Sequence, residues 1–238
     1  MSSKINDFVI RFANVNGSGS ASANGMFAKA LFRMGIPVAT RNIFPSNIQG
    51  LPTWFEVRVS EKGYLGRREG VDIMVAMNAE TFAEDIDSIL PGGYLLYDNS
   101  KPLAKEFVRQ DIHEIGIPIA TMLLPEFADP KQRSLFKNIT YLGALEALLN
   151  IEFDVITGMV STQYKGKDAL IEPNIRALEL GRNYALEYLS APLPLQVRRS
   201  DAVGDRIMME GNDAAGLGSL YGGATVCAWY PITPSTSV

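Results

Sequence analysis

The chain has 238 residues, 47% of them hydrophobic and 20% charged, with a formal net charge of −4. That composition is ordinary for a globular protein, and the acidic balance argues against nucleic acid as a partner. A single cysteine, Cys227, and a single histidine, His113, exclude a zinc site, a disulfide framework or a cysteine-ligated iron–sulfur cluster within this sequence.

The N-terminus is polar, with no apolar signal-peptide core, and no apolar run reaches membrane-spanning length. A soluble, cytoplasmic setting with no membrane partner is therefore expected. The length suits one large α/β domain, or one domain and part of another. Charge is unevenly spread. Residues 1–55 carry Lys4, Arg11, Lys29, Arg33 and Arg41 against Asp7 alone, so the remainder is strongly acidic.

Phe8, Val9, Ile10, Phe12 and Ala13 form an apolar run that suits a strand buried in a parallel sheet. Asn14, Asn16, Gly17 and Gly19 then form a turn that tolerates positive φ. Ser20 or Ser22 caps the predicted helix, whose apolar residues Met26, Phe27, Ala30, Leu31 and Met34 recur at helical spacing before Gly35 stops it. A helix N-terminus fed by such a turn favours a phosphate or carboxylate, and the basic end of the chain coincides with it. The bland reading is a turn that serves only the bend.

Ile36–Phe44 reads as a second strand. A nucleotide-binding βαβ unit places an acidic residue near its end to hold ribose hydroxyls. No acid occurs between Asp7 and Glu56, and Arg41 stands in that place. NAD is disfavoured, while a ligand with extra phosphate, such as coenzyme A or NADP, stays open. Gly17, Ser18, Gly19, Ser20 and Arg41 are the candidate cofactor-binding residues.

After a loop over 45–52, strands are predicted at Trp54–Ser60, Val71–Met77, Tyr94–Tyr97 and Ile117–Leu124. Helices are predicted at Ala79–Leu90 and Leu103–Ile115, with His113 on the surface. This alternation implies an α/β fold, a mainly parallel sheet with helices on both faces. From Pro130 the pattern turns helical. Leu135, Ile139, Leu142, Leu145, Leu148 and Leu149 share one helix side, and helices at Phe153–Val160 and Asp168–Leu189 follow. The stiff Ala191-Pro192-Leu193-Pro194 run opens a linker over 191–205. Residues 206–238 then resemble the first elements of a second α/β domain, with a helix capped by Asn212 or Asp213, ended by Gly222-Gly223, and a strand at Ala224–Tyr230. One helix and one strand cannot bury a core, so completion by further polypeptide is expected.

Glu210-Gly211-Asn212-Asp213-Ala214-Ala215 and Tyr230-Pro231-Ile232-Thr233-Pro234-Ser235 resemble the opening of the pyrimidine-binding domain of 2-oxoacid:ferredoxin oxidoreductases. Upstream, the first strand and its turn, Phe44–Ser60 and Asp72–Asn78 are similar to the γ domain of the same enzymes. The whole most resembles the α subunit of the 2-oxoglutarate type, with the γ domain at residues 1–190. The resemblance implies oxidative decarboxylation of a 2-oxoacid on thiamine diphosphate, formation of an acyl-coenzyme A, and transfer of electrons to ferredoxin. It implies a substrate-binding turn at Ile232, Thr233 and Ser235, with Thr233 on the substrate carboxylate, and coenzyme A contact at the glycine turn. It also implies a partner β subunit that shares the thiamine diphosphate and magnesium, iron–sulfur clusters on a partner chain, and a homodimer or αβ hetero-oligomer. No catalytic residue or metal ligand is expected in this chain, which is not active alone. The family turn, Gly-x-Gly-Gly-Gln-Gly, reads here Asn14-Val15-Asn16-Gly17-Ser18-Gly19. Two other readings stay open: a non-catalytic assembly or coenzyme A-contacting module, and an NADP- or phosphate-binding Rossmann-like protein.

Overall fold

The computed structural model describes residues 4–15, 17–43, 52–64, 66–230 and 238. In chain order the elements are β1 (Lys4–Ile5), β2 (Asp7–Val15), α1 (Ser20–Arg33), β3 (Val38–Ile43), β4 (Pro52–Ser60), β5 (Val71–Ala76), α2 (Phe82–Asp87), β6 (Ile89–Asp98), β7 (His113–Ile117), α3 (Ile119–Leu123), α4 (Pro130–Leu149), α5 (Phe153–Gln163), α6 (Ile171–Tyr188), β8 (Leu195–Gln196) and α7 (Gly211–Tyr221). They fall into two units that divide after Gly204.

The first unit is built on a six-stranded sheet of order β3-β4-β2-β5-β6-β7. β2, β5, β6 and β7 run parallel, while β4 lies antiparallel to both β2 and β3. The period of two along β2 sends Phe8, Ile10 and Phe12 to one face and Val9 and Ala13 to the other. On the first face Phe12 meets Phe27 of α1 and Tyr141 of α4, with ring centroids 5.4 and 5.8 Å apart. On the second, Val9, Ala13, Met74 and Leu95 pack with Ile86 of α2, and Trp54, Phe82, Tyr97 and Phe107 close over them. Helices thus lie on both faces, as expected, and burying each large side chain contributes roughly 1.5–3 kcal/mol.

α4 and α6 cross at two glycines. A Cβ on Gly143 would stand 1.9 Å from the Leu178 carbonyl oxygen, and one on Gly181 would stand 1.8 Å from that of Thr140. Only hydrogen fits between backbones this close.

Several expectations need correction. β3 is an antiparallel edge strand paired only with β4, so it is not the second strand of a nucleotide-binding βαβ unit. The helix predicted over Leu103–Ile115 is one 3-10 turn, Lys105–Phe107, followed by β7. Val108, Ile112 and Ile115 recur at helical spacing, but pairing with β6 wins. The strand predicted over Ile117–Leu124 ends where Pro118 removes a ladder donor, and α3 replaces the rest. α2 is shorter than Ala79–Leu90 because Ile89 already belongs to β6.

The stretch expected as a linker is, up to Gly204, part of the first unit. β8 pairs with β1, and Leu193, Leu195, Val197 and Val203 are buried. The Ser200 N–H donates to the Met34 carbonyl at 2.9 Å, so the segment closes over the end of α1.

In the second unit α7 starts at Gly211 with Glu210 as its N-cap, and neither Asn212 nor Asp213 caps it. Gly222 ends it as predicted, but Ala224–Tyr230 forms no strand. No residue of α7 is buried. Among the described residues, no helix is long and apolar enough to cross a membrane.

Candidate functional site

The candidate site lies where β2 ends and α1 begins. Asn14, the last buried residue of β2, faces the helices. Its Oδ1 accepts from Asn24 Nδ2 at 3.1 Å, and Asn24 Oδ1 accepts from the Tyr141 hydroxyl at 2.7 Å. Tyr141 is fully buried; desolvation raises its pKa well above the usual phenol value, and a hydrogen bond with Asn14 pulls slightly the other way. This closed polar network pins the strand end to α1 and α4, because each buried amide has found a partner.

The turn itself is exposed at Gly17 and Gly19, which hold φ of 82° and 77°. The Ser18 N–H donates to the Val15 carbonyl at 3.2 Å. Gly19 is favoured by its left-handed φ; a Cβ there would come 2.7 Å from Leu135 Cδ2, the end of an exposed side chain that would have to turn aside.

Ser20 and Ser22 do not cap α1. Gly19 is the N-cap, no side chain accepts from the first turn, and no acidic residue lies in it. The first-turn N–H groups and the positive end of the helix dipole are therefore unanswered by side chains of the helix itself. Ser18 Oγ is buried with no hydrogen-bond partner among the described residues.

The neighbouring strand ends complete the rim. The Met77 N–H donates to the Ala13 carbonyl at 2.9 Å, bringing the end of β5 beside that of β2. Asn78 is buried. Its Oδ1 accepts from the Glu80 N–H at 3.1 Å, whereas its Nδ2 has no partner among the described residues. At the end of β6, Asp98 accepts from the Ser100 N–H and hydroxyl and pairs with Lys137 at 3.1 Å. Burial pushes the Asp98 pKa up, but Ser100 and Lys137 outweigh that, and the net shift is downward.

The structure brings Gly17, Ser18, Gly19 and Ser20 together and leaves Arg41 apart. Arg41 pairs in register with Glu56, which pairs with Arg11, four residues before Val15. At about 3.3 Å per residue and 4.8 Å per strand, Arg41 stands roughly 16 Å from the strand end. Its side chain alternates onto the face of Val9 and Ala13, opposite α1. Glu56 is already bonded by Arg11 Nε at 3.0 Å. Ile232, Thr233 and Ser235 lie outside the described residues. His113 is exposed and stacks on Tyr94, with centroids 5.1 Å apart, and Cys227 is exposed. No group of three or more histidine, cysteine or acidic side chains suited to a metal exists among the described residues.

Sequence reasoning missed Asn24, Leu135, Asn138 and Tyr141. Asn24 lay within reach, since it follows Asn14 at a separation of only 10 residues. No local signal joins Tyr141 to a residue 117 positions earlier.

Residues 9–184 match the family model described as "Pyruvate ferredoxin/flavodoxin oxidoreductase". The chain is similar to the 2-oxoglutarate:ferredoxin oxidoreductase of Magnetococcus marinus, whose structure holds 2-oxoglutarate, coenzyme A and succinyl-CoA. The TM-score is 0.84 at 29% identity, over 97% of this chain and 40% of that one. Subunit alpha of 2-oxoacid:ferredoxin oxidoreductase 2 from Aeropyrum pernix is 25% identical, over 97% of this chain and 42% of its own length. The 2-oxoglutarate oxidoreductase subunit KorA of Mycobacterium tuberculosis is 22% identical, over 99% of this chain and 40% of its own length. Subunit PORC of pyruvate oxidoreductase from Thermotoga maritima shares the fold, with TM-score 0.60 at 22% identity, over 75% of this chain and 96% of that one. The chain thus spans about two fifths of the length of the curated relatives it matches throughout.

Proposed function

Because the chain belongs to the pyruvate ferredoxin/flavodoxin oxidoreductase family, we propose that it is the α-type component of a 2-oxoacid:ferredoxin oxidoreductase acting on 2-oxoglutarate. In this reading the assembled, cytoplasmic enzyme decarboxylates the 2-oxoacid oxidatively, joins the acyl group to coenzyme A and passes electrons to ferredoxin. The observation that carries it is the likeness, over nearly the whole chain, to a protein whose structure holds the 2-oxoacid, coenzyme A and the acyl product together. Residues 1–190 would be the γ-type domain and 206–238 the opening of the pyrimidine-binding domain.

The turn fits an anionic ligand. Coenzyme A would be held by Gly17, Ser18, Gly19 and Ser20, through first-turn N–H groups and a Ser18 hydroxyl that have no side-chain partner among the described residues. Arg41 has no place in that set. Thr233, with Ile232 and Ser235, would receive the substrate carboxylate. Thiamine diphosphate and magnesium would be shared with a β subunit, and the iron–sulfur cluster would sit on a partner chain, since one exposed cysteine cannot hold one here. The exposed Leu220, Tyr221 and Trp229 of the second unit are apolar surface that a partner would cover.

Reconstituting the chain, within its full reading frame, with a β subunit should give 2-oxoglutarate- and coenzyme A-dependent reduction of ferredoxin or viologen. Thr233→Ala should raise KM for the 2-oxoacid at least about tenfold, the value of a lost hydrogen bond to a charged group. Unchanged kinetics in that variant would remove the carboxylate role.

A further inference from the structure

α4 reaches the turn with Leu135, Asn138 and Tyr141, three residues at successive helical spacing. Leu135 lies against Gly19, Tyr141 anchors the end of β2 through Asn24, and Asn138 touches the turn backbone itself. Asn138 is 4% exposed, and its Nδ2 donates to the Ser18 carbonyl oxygen at 2.9 Å. A peptide unit is planar, with its C=O and N–H pointing oppositely. Gripping the Ser18 oxygen from α4 therefore turns the Gly19 N–H away from α4, toward the open side of the turn. Nothing intrinsic to glycine enforces that orientation. With no Cβ, Gly19 tolerates either sign of φ and would permit a peptide flip.

We propose that Asn138 is a positioning residue, which locks the Ser18–Gly19 peptide so that its N–H joins the α1 donors facing an anionic ligand. The ligand side of this proposal rests on the reading that the turn holds coenzyme A; the locking of the peptide does not. The test uses the 238-residue chain. Asn138→Leu keeps the volume and removes the donor. Hydrogen exchange at the Ser18 amide, bonded to Val15, should quicken about tenfold, and affinity for coenzyme A or inorganic diphosphate should fall about tenfold. Leu149→Val, at the far end of α4, serves as a destabilised control and should change neither. Should Asn138→Leu fail to fold, Asn138→Ala also lacks the donor, adds no charge and carries the same readouts. Unchanged Ser18 exchange in the donorless variant, or equal loosening in Leu149→Val, would overturn the positioning role. A wild-type chain that binds neither coenzyme A nor diphosphate would overturn the ligand assignment, and the exchange comparison would still judge the lock.

Discussion

The α4–α6 crossing holds an ion pair whose pH behaviour is opposite to that of most carboxylates. Glu146 is buried, and its Oε2 stands 3.0 Å from Arg182 Nε, yet neither atom meets hydrogen-bond geometry. Arg182 lies with Cζ 4.9 Å above the Phe153 ring, whose face also attracts the guanidinium. Desolvation therefore outweighs the attraction of Arg182, and the Glu146 pKa rises from 4.5 to about 7. The folded state then holds this proton more tightly than the unfolded chain. Its stabilising contribution is complete below pH 4.5 and is lost as pH rises through about 7. At 1.36 kcal/mol per unit, the loss across that window is about 2–3 kcal/mol. Glu146→Gln fixes the neutral form, so its advantage over wild type should grow by that amount between pH 5 and pH 8. Urea unfolding of both proteins at each pH measures it. Parallel pH profiles, or a wild type that gains on the variant with rising pH, would refute the claim that burial governs this pair.

Gly181→Ala should cost about 2–4 kcal/mol in urea unfolding despite alanine's better helix propensity, because its Cβ would stand 1.8 Å from a backbone oxygen and the helices must part. Combining it with Gly143→Ala should cost less than the sum, since both act on one crossing; full additivity would argue against a shared contact. Gly19→Ala should destabilise the fold by only about 1–2 kcal/mol for the left-handed strain while abolishing diphosphate binding, measured by calorimetry beside unfolding.

How far the sequence disclosed these features follows from the range of the interactions. β2, the turn and α1 are contiguous, and an apolar run, two glycines and a helical repeat are all local signals. β5 reads as an apolar run broken only by Asp72, because both its faces are covered. β7 did not read as a strand, since its identity depends on partners in β6 nineteen residues upstream. Arg41 misled for a related reason. A ribose-side place for Arg41 requires β3 beside β2, whereas β4 inserts between them, and no residue near Arg41 announces that insertion. In the site, the glycines were legible and Asn138 was not, because its partner is 120 residues away.

α4 shows the same limit within one element, and shows why the site and the core share a helix. Its residues Leu135, Ile139, Leu142, Leu145 and Leu149 fall toward one side at about 100° per residue, and with Leu148 they were the stripe visible in the sequence. Gly143 and Ala147, with Phe136, fall on the other side; at Gly143 this side meets the α6 backbone. Small residues carry little hydropathy, so a face built for close approach registers as no face at all. A helix buried on both sides has few rigid-body freedoms left, because each face is tied to a different neighbour. That constraint is what a positioning helix needs. Asn138 can orient a glycine peptide only if α4 itself cannot slide, and the close approach of Gly143 to Leu178 and of Gly181 to Thr140, less than two turns along the same helix, is what prevents it.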